Sequence, residues 1–531
     1  MQTPHHFSAM PPQSELQKRR VVSVFLFSKD QVALFRRSGK VRTYAHYLAP
    51  ISGSLNLGES PVAAAWRELE EETTLTSREV ELCRQGVPYV FTDNSVNREW
   101  TICPFAFRLK PLNEGGHGEE AIRIDWEHQT WEWYNPATVE DSERFGGVPR
   151  LKDSLRRVWF EGDMNKEASK ALVAGLGQLK TDHQSGSHEL TSIAVRVYRD
   201  VIAQMQEKID TEWWRTARMA AWHLSKSGRE SMGTATLNAF LALMPDMEEI
   251  VHQNLARKVK WERLLGVIDY HLDRRKDMPA RIKNAFAEYL RGSLSSRIDR
   301  GGDKDSLAIL TLSASSTIRD SILNTFATLP ISHLDVRILE SRPLCEGVNM
   351  ASSILSEFQT KFPPSSGRDL KLTVYTDASV AIASQGVDFL LLGADRISVE
   401  GSVCNKVGSY PAVLAVKRVS SASVLVLSEL EKVDAPGSGD VQDYEDNGPR
   451  EVMGCWIDGG IKAAQTIDDA LQATHQDDVN CAVEVKNIYF EWIPPWCTDA
   501  FICERGVLNT AAIKEKAHQV KLGADKYFHS L

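Results

Sequence analysis

The chain has 531 residues, several times a usual domain, so two or more domains are expected. Hydrophobic residues make up 42% and charged residues 25%, ordinary values for globular domains with sizeable cores. A formal net charge of −9 argues against a direct nucleic-acid binder, and no run approaches the roughly 18 uninterrupted apolar residues of a membrane span. The first 20 residues lack the apolar core of a signal peptide. Eight cysteines (Cys83, Cys103, Cys345, Cys404, Cys455, Cys481, Cys497 and Cys503) include no CxxC pair, matching neither a zinc site nor a disulfide framework. They read as reduced thiols of a soluble, cytoplasmic protein.

A polar leader (1–19) precedes two strands at 21–27 (VVSVFLF) and 32–35 (VALF), joined at Ser28-Lys29-Asp30. Ser60-Pro61 starts one strong helix, a capping hydroxyl followed by a proline at the first helical position. Strands follow at 89–91 and 100–109, Pro88 fitting a strand start or sheet edge, and 114–120 (EGGHGEE) reads as a loop. The first domain spans 20–160 and a small, polar linker 161–190. Residues 191–300 read as successive helices, with apolar residues at helical spacing in IAVRVYRDVIAQM and KVKWERLLGVIDYHL. From 301 to 531, β-rich runs (LAILTL, HLDVRILE, LKLTVYT, VDFLLLGA, ASVLVLSEL) alternate with helical segments, the pattern of a parallel sheet with crossover helices. The acidic, Gly-containing stretch within 435–475 reads as a flexible insertion.

On the helix after Ser60, Val62, Ala65, Trp66 and Leu69 fall on one apolar arc, and Glu68, Glu71 and Glu72 share another, with Glu70 on the opposite side. Three carboxylates on one arc repel unless a cation lies between them, and Mg²⁺ suits oxygen ligands and phosphate substrates. The bland reading is a solvated acidic face. Against it, Gly53, Glu59, Arg67, Glu68, Leu69, Glu71, Glu72 and Leu75 match the spacing Gly-x5-Glu-x7-Arg-Glu-Leu-x-Glu-Glu-x-Gly-x, and residues 20–160 resemble a Nudix hydrolase domain.

That resemblance implies an α/β/α sandwich and metal-dependent cleavage of a nucleoside- or sugar-diphosphate linkage. Glu68, Glu71 and Glu72 would hold Mg²⁺ (or Mn²⁺), with Arg67 and Glu59 bracing the site and Gly53 forming the preceding loop. Glu127, in DWEHQTWEW, resembles a downstream Glu used as an extra ligand or base; a structural salt bridge is the alternative. The box's last glycine is Thr74, a β-branched residue that resists the left-handed helix stop a glycine allows, so an altered loop after the helix is expected.

In the second half, ESRPLCEG (340–347), LLLGADRISVEGSVCNKVGSY (390–410) and NIYFEWIPP…ICERGV (487–507), with SGRESMGTATLNAFL (227–241), resemble one family over about 190–531. It joins the alpha, beta and delta subunits of translation initiation factor two-B with the ribose-1,5-bisphosphate and methylthioribose-1-phosphate isomerases. The resemblance implies a helical subdomain before a Rossmann-like domain, which pairs into a homo-oligomer. The loop Ser313-Ala314-Ser315-Ser316-Thr317 leads into a helix, suited either to a phosphate at the helix N-terminus or to plain capping.

In the isomerases this loop supplies a cysteine whose partner matches Asp395; here the cysteine position reads Ser313, and the usual preceding histidine is Leu312. A serine hydroxyl needs a separate base, and none stands in the loop. Cys404 reads as a buried core thiol. Arg342, Asn405 and Lys406 suit a sugar phosphate, although Arg342 could pair with Glu340 and Lys406 could cap a helix end. Three functional readings follow. One is a Nudix hydrolase with a C-terminal domain binding a phosphorylated sugar or nucleotide. Another is a bifunctional enzyme with ribose-1,5-bisphosphate isomerase-like activity. The third is a regulatory subunit partnered with translation-factor subunits.

Overall fold

The structure is a computed structural model describing residues 16–182, 185–206, 208–226, 233–299, 305–437, 446–473 and 483–531, the side chains of 295–299 excepted. It divides into two compact units, 16–164 and Asn165–Ser530. Among the described residues no helix is long and apolar enough to cross a membrane.

The first unit runs β1 (Gln17–Ser28), β2 (Gln31–Arg37), β3 (Leu48–Ala49), β4 (Ile51–Ser54), α1 (Pro61–Thr73), β5 (Val80–Gln85), β6 (Tyr89–Asp93), β7 (Arg98–Leu109), β8 (His128–Tyr134) and α2 (Leu151–Arg156). The eight strands form one mixed sheet, ordered β3-β2-β1-β7-β5 with β4, β6 and β8 paired to β1, β7 and β2. The β1–β7 pair is parallel, Val21 facing Ile102 and Val24 facing Phe105. Alternation explains the two layers. Val22, Val24 and Leu26 of β1 pack with Ala64, Ala65 and Leu69 of α1, whereas Phe25 joins Leu151 and Leu155 of α2 on the other face. A strand buried on both faces reads as a continuous apolar run, which is why VVSVFLF lacks polar alternation. Trp66 closes the α1 layer edge-on against Phe107, with centroids 4.7 Å apart.

The second unit opens with α3 (Lys166–Thr181), α4 (Ser187–Gln204), α5 (Thr211–Lys226), α6 (Gly233–His252), α7 (Arg257–Lys276) and α8 (Met278–Asp299). There follow β9 (Ser306–Leu312), α9 (Ser316–Thr328), β10 (His333–Leu339), α10 (Glu346–Lys361), β11 (Asp369–Tyr375), α11 (Val380–Ala383), β12 (Phe389–Leu392), β13 (Arg396–Ile397), β14 (Val403–Lys406), α12 (Ser409–Val419) and β15 (Ser423–Leu427). The chain ends with α13 (Arg450–Asp458), α14 (Ala464–Ala473), β16 (Phe490–Ile493), β17 (Ala500–Cys503), β18 (Gly506–Leu508) and α15 (Thr510–Tyr527). Seven strands form a sheet of order β11-β10-β9-β12-β15-β17-β18, parallel except at its β17–β18 edge, and β13-β14-β16 form a small antiparallel sheet. Alternate residues again serve two layers: Leu307 and Ile309 face Phe286 and Ile322, while Leu310 and Leu312 face Val413 and Ile513. The chain is thus α/β in both halves.

Three expectations need correction. The segment 161–190 carries a full helix, α3, because Ala168, Leu172, Leu176 and Leu179 form a buried stripe at helical spacing and Asn165 caps its start. The segment 435–475 contains α13 and α14, the former anchored by buried Met453. The Thr74 position keeps the left-handed stop: its φ is +61° and its N–H donates to Glu70 O at 2.8 Å. Residues 1–15, 227–232, 438–445 and 474–482 lie outside the described residues, and with them part of the leader, of the helical motif and of the acidic stretch.

Candidate active site and phosphoryl-ligand site

Helix α1 begins where Ser60 Oγ accepts the Ala63 N–H at 3.2 Å. The following turns carry Arg67, Glu68, Glu71 and Glu72, with Glu68 against Gly53 of β4. Arg67 is the hub. Its Nε and Nη2 meet the two oxygens of Glu59 at 2.8 and 2.9 Å, Nη1 reaches Glu68 (2.6 Å) and Glu71 (3.1 Å), and Nη2 also donates to Ser54 O (3.0 Å). Hydrogen bonding to Arg67 holds Glu59 below the usual carboxylate range. Gly53 lets β4 touch the carboxylate: a Cβ there would stand 1.8 Å from Glu68 Cδ.

Glu68 and Glu72 are buried, and Glu71 is exposed. Burial first, then the neighbouring carboxylates, push Glu68 upward; Glu127 and Glu71 both contribute. Burial pushes Glu72 well up, helped by Glu127, Glu68 and Asp125. Behind Glu72 lies His128 of β8, its Nε2 hydrogen-bonded to the Glu72 carboxyl and its Nδ1 buried without a partner among the described residues. Burial holds that imidazole neutral, its pKa down to about 4. Glu127 is fixed through its backbone, donating N–H to Asp125 Oδ1 (2.9 Å) and accepting from Ser38 N (2.7 Å).

Among the described residues no three Asp, Glu, His or Cys side chains are set to hold a metal as they stand. Arg67 engages Glu68 and Glu71, and Glu72 turns to His128. The donor set nevertheless fits a hard divalent cation: three carboxylates within one helical turn, two of them buried and repelling each other.

A cavity of about 330 Å³ is lined by Gly53 and Ser54, which abut Glu68 and Arg67 of this helix, and by Tyr44, Tyr89, Phe91 and Trp100. Arg19, Arg37, Arg42 and Arg98 line it, and among the described residues no carboxylate does. Sequence reading missed these residues and His128. The loop between β2 and β3 carries no motif, and Tyr44 reaches its partner Asp93 across 49 positions, its hydroxyl donating to Oδ2 at 2.8 Å.

In the second unit the residues singled out lie at the C-terminal edges of strands. Ser313 ends β9 in the left-handed region (φ +59°), and its N–H donates to Ser341 Oγ at 2.8 Å. Ser315 caps α9, its Oγ accepting from Ile318 N at 3.3 Å, and Ser316 is the first helical residue. Arg342 is exposed; its backbone N–H donates to Asp377, and its Nε lies 4.0 Å from Glu340. Asn405 is buried and donates to Ser409 Oγ (2.9 Å). Lys406 is buried over the Tyr489 ring, its Nζ 2.8 Å from Glu346 Oε1. Asp395 lies 3.9 Å from Lys432 Nζ. The Glu346 pairing of Lys406, across 60 positions, was not foreseen.

Comparison with known proteins fits both units. The model of the Initiation factor 2 subunit family matches residues 183–510, and that of the NUDIX domain matches 17–158. A methylthioribose-1-phosphate isomerase of Xanthomonas campestris is 28% identical over 170 residues, 32% of this chain and 40% of that relative's length. The chain therefore spans about two fifths of that curated relative. Among solved structures, eIF2B beta from Chaetomium thermophilum aligns with TM-score 0.45 and 12% identity, covering 67% of this chain and 93% of that one. The 5-methylthioribose 1-phosphate isomerase of Pyrococcus horikoshii aligns with TM-score 0.45 and 17% identity, covering 66% and 87%. The chain belongs to the initiation factor 2 subunit family and carries a NUDIX domain ahead of the family region.

Proposed function

We propose that the first unit is a metal-dependent hydrolase of phosphoanhydrides. The observation that carries this reading is the pair of buried, mutually repelling carboxylates Glu68 and Glu72, set against a Cβ-free strand and braced by Arg67. Glu68, Glu71 and Glu72 would hold Mg²⁺ or Mn²⁺, which supplies charge neutralisation for the diphosphate and an acidified water. Arg67 orients Glu68 and Glu71 from one guanidinium, and His128 fixes Glu72 from behind. Glu127, whose charge reaches both buried carboxylates, is assigned to remove the proton from the attacking water. Manganese titration followed by electron paramagnetic resonance tests the donor set in the full chain. Wild type should bind Mn²⁺ and Glu68→Gln should bind at least tenfold more weakly; equal binding refutes the assignment.

For the second unit we infer a phosphorylated sugar or nucleotide as ligand, with regulation rather than isomerisation as its role. Two features support this: a hydroxyl, not a thiol, at Ser313, and a Lys406 amine already drawn onto Glu346. Asp395, Asn405 and Lys406, clustered in sequence about the β13–β14 hairpin, favour the bifunctional reading instead. Ketose formation from ribose 1,5-bisphosphate or methylthioribose 1-phosphate would establish that second reading; binding without turnover supports the first. Light scattering tests the expected cytoplasmic homo-oligomer, and co-purification with initiation-factor subunits would favour the translation-factor reading.

A further inference from the structure

We propose that Cys345 and Cys455 form a reversible disulfide, driven by peroxide, that fastens helix α13 to the loop between β10 and α10. The bond depends on neither functional reading above.

Position is the first argument. The two thiols come from distant parts of the second unit and converge on one atom. Cys345 Sγ lies 3.7 Å from Pro343 O and Cys455 Sγ lies 3.0 Å from the same oxygen, so the sulfurs stand no more than about 6.7 Å apart, the sum of the two spans. Cys455 is also near enough to act on the Cys345 thiol. A disulfide closes at about 2.05 Å, so side-chain rotation and a small approach of one element complete it. S–H is a weak donor, and Pro343 O gives up little when both are consumed.

Exposure is the second argument. Of the seven described cysteines, Cys103, Cys404, Cys497 and Cys503 are buried, whereas Cys83, Cys345 and Cys455 are half-buried. Cys83 belongs to β5 of the first unit, which leaves Cys345 and Cys455 as the accessible thiols described in the second. Cys455 lines a cavity of about 320 Å³ together with Arg342, Pro343, Trp456 and Asn487. That is many times the roughly 30 Å³ share of a water molecule, and so open to a peroxide. Burial first, then the charge of Glu340, push the Cys345 thiol up, which suits it to the second, resolving step.

The third argument is the unequal hold on the two partners. The Cys345 loop is fixed: Ser341 and Arg342 donate their N–H groups to the Asp377 carboxylate at 2.9 and 2.8 Å, and Cys345 N–H donates to Ser341 O at 2.9 Å. Helix α13 is held more lightly. Of its nine residues only Met453 is buried, and Glu451 accepts from Asn487 Nδ2 at 2.9 Å and from the Tyr489 hydroxyl. Both anchors precede Cys455, so the end of the helix that carries the thiol is the part able to approach the loop.

The chemistry balances with a hydroperoxide as oxidant. The Cys455 thiolate attacks one peroxide oxygen, the O–O bond breaks, and the departing hydroxide takes up the thiol's proton as water, leaving a sulfenic acid. The Cys345 thiolate then attacks that sulfur, the S–O bond breaks, and hydroxide leaves with the Cys345 proton as a second water. Two thiols lose two electrons and the peroxide gains them. The bond joins α13 to the segment that carries Arg342 and Glu346, the residue paired with Lys406.

The test uses the full chain, reduced, freed of reductant and treated with hydrogen peroxide near stoichiometry. It is then alkylated, digested without reduction and read by mass spectrometry. One crosslinked peptide pair joining Cys345 to Cys455 is expected, with loss of two of the eight thiols in a denatured count and return of both with dithiothreitol. Cys345→Ser should abolish the crosslink and leave a Cys455 sulfenic acid, trapped by dimedone, that wild type does not accumulate. Wild type alone gives the decisive peptide, so the outcome does not hang on how the variant folds. Both residues still free, or driven to sulfonic acids without a crosslink, or either joined to Cys481 or another cysteine, overturns the proposal. So does a crosslinked species of twice the chain's mass, which would place the bond between copies.

Discussion

Thr74 occupies a backbone conformation that suits glycine, and replacing it tests whether that strain is real. At φ +61° an L-residue carries about 1–2 kcal/mol of unfavourable contact between its Cβ and the following carbonyl. Thr74→Gly removes that contact but frees the unfolded chain, which costs about 0.4–1 kcal/mol. It also gives up the long Oγ1 hydrogen bond to Ala121 O at 3.4 Å, too weak to reverse the sign. The helix stop itself is retained, since it depends on the backbone N–H donated to Glu70 O. The net gain is about 0.5–1 kcal/mol, which in a unit of this size raises Tm by about 1–4 °C. Scanning calorimetry of the full chain reads the shift. Thr74→Ala is the control: it loses the hydroxyl, keeps the Cβ, and should gain nothing. A lowered Tm for Thr74→Gly would refute the reasoning, because the threonine side chain would then contribute more than its backbone costs.

Gly53→Ala should cut kcat/KM by about a hundredfold or more: its Cβ would lie 1.8 Å from Glu68 Cδ, and a 1 Å displacement of a catalytic group costs that much. Steady-state kinetics checks it, and activity within twofold of wild type would show that β4 yields instead. Ser315→Ala removes the cap on Ile318 N and should destabilise the second unit by about 1 kcal/mol in denaturant titration. Burial raises Glu429, but the His188 imidazole 3.4 Å away and the charge of Lys432 outweigh it and hold the carboxyl down at about 2. A depressed folded pKa means stability present above about pH 4.5 and lost as pH falls toward 2, on the order of 3 kcal/mol. Glu429→Gln should flatten that acid step, measured as unfolding free energy against pH.

What was legible in the sequence was local. The carboxylate arc of α1 and its Ser60-Pro61 start follow from spacing alone, and the apolar runs of β9, β10, β12 and β15 are long enough to read. Helix α3 was hidden because glycine, lysine and serine dilute a stripe of only four buried apolar residues. β8 was hidden for a different reason: HQTWEWY is half exposed and gains its strand identity only by pairing with β2. The same long-range assembly brings His128 behind Glu72, 56 positions away, and Glu346 onto Lys406. The cavity could not be read at all, since its walls come from five separate strands, connecting loops and α2, which share no spacing. Thr74 shows the opposite limit: the residue departs from the glycine pattern, yet the surrounding helix and sheet impose the glycine conformation.

The central claim is that a carboxylate set on α1 directs phosphoanhydride cleavage, and a phosphorus NMR time course tests it most directly. The full chain with Mg²⁺ meets ADP-ribose, phosphoribosyl pyrophosphate, nucleoside triphosphates and dinucleotides, beside a Glu72→Gln control. One diphosphate resonance should decay with wild type and persist with Glu72→Gln. Equal decay in both, or none in either, would contradict it.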